Sequence, residues 1–356
     1  RVLDLEGHYL LPGFVDLHAH FGGDDQGVPA EYPAKLWLAH GITTIREPGS
    51  FNGNAILVAA PRIVPYVGFG QGHDGPFLDP EEARNWVRTV ARQGARGIKF
   101  FGAPPEIMRA ALDEARKQGL GSAMHHAQLD VAHWNVLDSA RAGLTTMEHW
   151  YGLPEALFED RAIQDYPADY NYSNEQHRFG QAGRLWKQAA APGSEKWGAV
   201  RDELIALDFT INPTLTIYEA TRDITRAANQ PWFEDYLHPT MENYFKPDLS
   251  NHGSFYLEWT TEDEIEWKNN YQLWFAALRD YARRGGIIGA GEDAGFIYRM
   301  FGTGLIRELE LQQEAGFHPL DVVKHATGNN ARLLGAEDEI GRIKAGYKAD
   351  LILVHT

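Results

Sequence analysis

Two histidines one residue apart, His18 and His20, close the apolar run in "GFVDLHAHFGG" (residues 13–23). In an extended strand, residues i and i+2 share a face, so both imidazoles project together from the strand's C-terminal end. Paired imidazoles can grip one metal ion. The plainer alternative is two polar residues where a strand frays into a loop. Similar residue types recur beside other short apolar runs: Lys99 in "GIKFFG", His125 and His126 in "GSAMHHAQ", His149 in "TTMEHW", Asp293 in "GIIGAGEDAG". His125 and His126 are adjacent, so only one of them can face inward. Imidazole and carboxylate ligands suit zinc and similar divalent ions. Lys99, between Ile98 and Phe100, is a costly unpaired charge in a buried strand unless it snorkels to a rim.

These residues need a scaffold that gathers strand ends. β-rich runs at 13–21, 43–48, 62–69, 97–101, 121–127, 145–150, 209–215 and 286–293 alternate with amphipathic stretches. In "DPEEARNWVRTVARQG" Asp79 caps, Pro80 suits the first helical position, Glu82 completes a capping box and Gly94 stops the helix. Residues 104–119 repeat that plan, and a third helix is expected near 268–284. Eight strands alternating with helices predict a parallel (β/α)8 TIM barrel, whose strand C-termini carry active sites. Lys99 to His126 is 27 residues, one βα unit, but His149 to Asp293 is 144. Two aromatic-rich insertions, near 151–200 and 216–262, account for the excess. They are either surface decoration or a lid over the barrel mouth.

The chain has 356 residues, 44% of them hydrophobic, enough for one large domain or two smaller ones. A net charge of −16 argues against a nucleic-acid partner. No apolar run approaches the ~20 residues of a membrane span. Zero cysteines exclude disulfides and thiolate ligands. Residue 1 is Arg and no signal-peptide core is visible, so the compartment is cytoplasmic or, if a leader was removed, periplasmic or secreted. The expected partner is a small-molecule substrate, and a homo-oligomer is allowed.

Taken together, the strand-end residues, the opening "LDLEGHYLLPGFVDLHAH" and the closing "HATGNNARLLGAEDEIGRIKAGYKADLILV" resemble the amidohydrolase superfamily. Among its branches the chain is most similar to the prolidase-type and imidazolonepropionase-like enzymes. The resemblance covers nearly everything except the two insertions. It implies two divalent metals, zinc foremost with manganese or others as alternatives. His18, His20 and Asp293 would hold one, His126 and His149 the other, and a carboxylated Lys99 would bridge both. Carbamylation turns the lysine cation into an anion able to join two cations. Two metals acidify water and polarise a carbonyl, and Asp293 would act as general base. The expected reaction is hydrolysis of an amide, in a dipeptide or N-acyl amino acid. The nearest rival is a cyclic-amide hydrolase or deaminase on the same barrel. Lactone or phosphoester cleavage and a non-catalytic scaffold are further alternatives.

"GQGHDG" (70–75) fits a dinucleotide glycine pattern but lacks the acidic residue about 20 positions on. It reads instead as the third barrel loop. There His73 matches a loop histidine that approaches the substrate carbonyl in prolidase-like relatives. Tyr218, after "NPTLTI", resembles a substrate-facing tyrosine, and Arg299 is a candidate for a substrate carboxylate. The other histidines, His252 among them, have no comparable context. Family members usually carry a small β-sandwich, of which residues 1–12 and 336–356 would be remnants flanking a 13–335 barrel. "GED" stands before the loop where relatives often read "GTD".

Overall fold

The helix signals are realised with small adjustments. Asp79 accepts the Glu81 N–H at 2.6 Å and Pro80 opens the helix Pro80–Arg92, while Glu82 reaches the Leu78 N–H instead of completing a box. Ala83, Trp86, Val87 and Val90 form its buried stripe. The helix Pro105–Lys117 buries Ile107, Met108, Ala111, Leu112 and Ala115 in the same way. The third helix, Thr261–Arg283, begins earlier than its apolar spacing suggested. Thr260 and Asp263 form a capping box there, and Trp267 extends the buried stripe toward the N-terminus.

The computed structural model describes residues 2, 4–22, 26–49 and 59–355. Residues 1, 3 and 356 of the terminal segments, and Gly23, lie outside them. The first strand, β1 (Tyr9–Pro12), pairs antiparallel with the last, β10 (Leu351–Val354), as a two-stranded ribbon. Between them eight parallel strands pair in chain order: β2 (Phe14–Asp16), β3 (Ile42–Pro48), β4 (Arg62–Gly68), β5 (Gly97–Phe100), β6 (Gly121–His125), β7 (Thr146–Glu148), β8 (Thr210–Asn212) and β9 (Ile287–Ile288). The two edges are joined by Leu17 N–H to Ala290 O at 3.0 Å and Asp293 N–H to His18 O at 2.7 Å. The result is a (β/α)8 barrel with apolar side chains such as Ile98, Met124 and Ile211 packed under the helices.

The long stretches after β7 and β8 fold as short helices, including Glu175–Ala182 and Pro239–Tyr244. They are stitched together: the Glu175 N–H donates to Leu249 O at 2.9 Å, and Phe179 stacks on Phe255 with centroids 4.6 Å apart. No helix among the described residues is long and apolar enough to cross a membrane.

Candidate metal centre and its cavity

Beneath the C-terminal mouth the barrel interior is polar. Arg46 on β3 spans it, donating from Nε to Leu17 O at 2.6 Å, from Nη1 to Thr146 Oγ1 at 3.0 Å and from Nη2 to Glu148 Oε1 at 2.5 Å. Glu148 also accepts from Asn212 at 2.6 Å and Thr146 at 2.8 Å. Burial pushes its carboxyl upward, but Arg46 and Lys99 outweigh that and hold it below the ordinary value. Glu148 is therefore an anion, and it faces His18 Nδ1 at 2.7 Å. The proton of His18 must then sit on Nδ1, leaving the Nε2 lone pair directed into the cavity.

His20 repeats the arrangement from one turn of pleat further on. Its Nδ1 lies 3.3 Å from Glu47 Oε1 and its Nε2 3.6 Å from Asp293 Oδ1. His18 Nε2 is 3.5 Å from the same Asp293 oxygen, and His149 Nε2 is 3.5 Å from Oδ2. The ligand atoms of His18, His20 and Asp293 all lie within 4.8 Å of one another, a spacing that suits a shared cation. Lys99 Nζ stands 3.4 Å from His18 Nε2, and the His149 ring lies 4.8 Å from that of His18 and 4.7 Å from that of His125. His149 Nδ1 is 2.6 Å from Thr214 Oγ1.

The backbone is bent to achieve this. His149 and Asp293 both take left-handed φ, 68° and 47°, a strained choice for such residues. At His149 the turn breaks strand alternation, so consecutive Glu148 and His149 both reach the cluster, at His18 and Asp293 respectively. Gly291 lets β9's extension press close to His18, where an added Cβ would meet the His18 Cβ at 2.8 Å.

Burial, then the Lys99 ammonium, pushes the His18 and His125 imidazoles well below their ordinary values; burial, then His125, does so for His149. Neutral imidazoles are what a metal requires. Burial lowers Lys99 to about 8 against the opposing pull of Glu148 and Asp293. Asp293 is raised by burial, with His20 and Lys99 opposing. Neutral imidazoles and carboxylate with a lysine poised near neutrality form a donor set that fits divalent ions.

One expected ligand is displaced. Lys99 faces the cavity and is in register with Ala123, so His125, two residues further along β6, shares that face. His126 points the other way. Its Nε2 meets Ser139 at 2.8 Å, and its ring packs on Gly152, where a Cβ would come within 2.7 Å. The register of β5 and β6 thus brings His125 to the cavity and turns His126 away from it. Tyr218 does line the cavity, edge-on to His149 at 6.0 Å. His73 does not: its Nδ1 lies 2.9 Å from Gly75 O and its ring lies on Phe77 at 4.1 Å. Arg299 is buried elsewhere, 3.1 Å from Glu219.

Sequence reading passed over Glu148, Glu47 and Arg46, although "TMEH" and "TIREP" place charges inside apolar strands as "GIKF" does. It also passed over His252 and Phe179, which come from the insertions and complete a cavity of about 390 Å³.

The barrel carries at its mouth a largely buried His–His–Asp group that could hold a metal ion. Residues 274–356 match the family model "Amidohydrolase family". That match covers the C-terminal part of the chain, from the helix Thr261–Arg283 through the last strand. An adenine deaminase from Methanoculleus marisnigri is 32% identical over 139 residues, 34% of this chain and 26% of that protein. The match thus spans about a quarter of that curated relative's length. Among solved structures, a Xaa-Pro dipeptidase with methionine bound in its active site is 20% identical, covering 98% of this chain and 81% of its own, TM-score 0.58. Bottromycin amidohydrolase is also 20% identical, covering 93% and 69%, TM-score 0.62. These two likenesses establish the fold.

Proposed function

We propose that the chain is a metal-dependent hydrolase that cleaves a carbon–nitrogen bond of amide type at a dinuclear centre. The observation that carries this is the pairing of His18 with Glu148 and of His20 with Glu47, which turns both Nε2 atoms toward Asp293. Carboxylate-backed imidazoles are the usual outer support of a metal site. His18, His20 and Asp293 would hold one ion; His125 and His149 the other, with Lys99 as carbamate between them. The resemblance named His126 for the second site, and the geometry favours His125. When bound, the ions, zinc foremost, supply Lewis-acid chemistry that acidifies water and polarises a carbonyl.

The chain's own groups do the rest. Asp293, within 3.6 Å of three imidazoles, takes a proton from the attacking water and returns it to the leaving nitrogen. Burial holds the Tyr218 hydroxyl protonated, far above its ordinary value, so it can donate to a substrate oxygen. Depression of Lys99 to about 8 leaves a sizeable neutral fraction, the form that reacts with carbon dioxide.

The resemblance points to dipeptides or N-acyl amino acids, and the deaminase relative keeps ammonia release as the second reading. Lys99 favours amide hydrolysis over ammonia release, since in the family the chain resembles a bridging lysine goes with two metals. Chelation should abolish hydrolysis of a panel of amides and metal addition should restore it. Ammonia release from cyclic amidines, without amide cleavage, would overturn the proposal in favour of deamination.

A further inference from the structure

Away from the cluster of His18, His20, His125, His149, Lys99 and Asp293, the cavity wall is mostly apolar. Phe179 comes from the segment after β7, Ile217 from that after β8, and Phe296 and Ile297 from that after β9. Phe179 is braced flat against Phe255, so its ring position is set by the insertions themselves. His252 closes the box, its ring centroid 6.0 Å from both Phe179 and Phe296.

His252 is one polar residue of this wall, with Tyr218 and Gln26, and its ring nitrogens are engaged. Nδ1 lies 3.2 Å from Glu175 Oε2 and Nε2 3.3 Å from Arg178 Nη2. The Arg178 guanidinium is itself held by Glu175 at 2.5 Å. Thus the ring offers the cavity its carbon face and edge. Among the described residues, Lys99 is the only lysine or arginine lining the cavity. Arg299, the cation expected to meet a carboxylate, is paired with Glu219 outside it. A carboxylate seated on this wall would lose its water and gain no cation. An aromatic ring or branched alkyl group would gain both burial and edge-to-face contacts.

We propose that the substrate is an amide whose group beyond the scissile bond is bulky, apolar and uncharged, chosen by Phe179, Ile217, Phe296 and Ile297. Neutral amides are then preferred to dipeptides and N-acyl amino acids with a free carboxylate. This rests on the reading of the chain as an amide hydrolase.

Three amides test it: N-phenylacetyl-ethylamine, N-phenylacetyl-glycine and N-acetyl-ethylamine. Turnover is measured with the metal-loaded full chain, and binding by calorimetry with the same chain stripped of metal. The neutral aromatic amide should exceed both others by about tenfold or more in kcat/KM and in affinity. Phe179→Ala and Phe296→Leu should each narrow that margin. Equal or better performance of the glycine conjugate in both assays overturns the inference, as does absence of binding by all three. Selective binding without cleavage supports the inference and sinks the hydrolase reading. Cleavage without selectivity does the reverse.

Discussion

The floor and the wall of the cavity are built by different means. On the floor, each imidazole follows closely on a barrel strand and is held by a buried partner: Glu148 behind His18, Glu47 behind His20, Thr214 behind His149. On the wall, Phe179 and His252 are fixed by ring contacts and by a small ion-paired group on the insertions. Floor residues have few alternative positions, because each would give up a hydrogen bond to a buried polar partner. Wall residues can be exchanged for others of similar volume at modest cost. The floor should therefore govern whether chemistry occurs, and the wall which molecule undergoes it.

The sharpest way to break that division is Asp293→Asn. It retains the shape but removes the proton acceptor, and turnover should fall by about 10²–10⁴-fold with the fold intact by circular dichroism. A fall of less than tenfold would remove Asp293 from the chemistry. Next in size, Glu148→Gln keeps the volume but removes the charge that orients His18. Metal affinity should drop by about 10–100-fold, read by competition with a chromophoric chelator. Unchanged affinity would mean that Arg46, and not the centre, is the partner Glu148 serves.

A smaller contrast separates the two faces of β6. His125→Ala should lower turnover at least about tenfold together with metal content. His126→Ala should instead cost about 1–3 kcal/mol of stability, seen in denaturant unfolding, with turnover nearly unchanged, because it removes the imidazole partner of Ser139 and opens a gap over Gly152. The reverse pattern would return His126 to the centre. The smallest effect is expected for His73→Ala, within about twofold in kcat/KM, as suits a loop residue folded onto Phe77.

Much of the floor was legible because strand-end chemistry repeats. His18, His20, Lys99, His149 and Asp293 each end or interrupt an apolar run, and one βα unit separates Lys99 from the adjacent His125 and His126. The choice between His125 and His126 was not legible, since it depends on which residue of β6 lies beside Lys99. That register is a property of two strands together. Glu148 and Arg46 carried the same signal as Lys99, a charge inside an apolar strand, and were readable by the rule already applied to it. The wall offered no such rule. Its segments are short helices joined by loops, without the apolar spacing that marked the helix Pro80–Arg92, and His252 gains meaning only from the Phe179 and Phe296 rings around it. Arg299 failed for a related reason: nothing near it in sequence announces Glu219, 80 positions earlier.

The central claim is that the converging imidazoles and Asp293 hold metal. Elemental analysis of the full chain, purified without chelators, tests it most directly. The account predicts about two divalent ions per chain, falling to about one or fewer in Lys99→Ala. A chain that retains no metal, and takes up none when zinc or manganese is supplied, would contradict it.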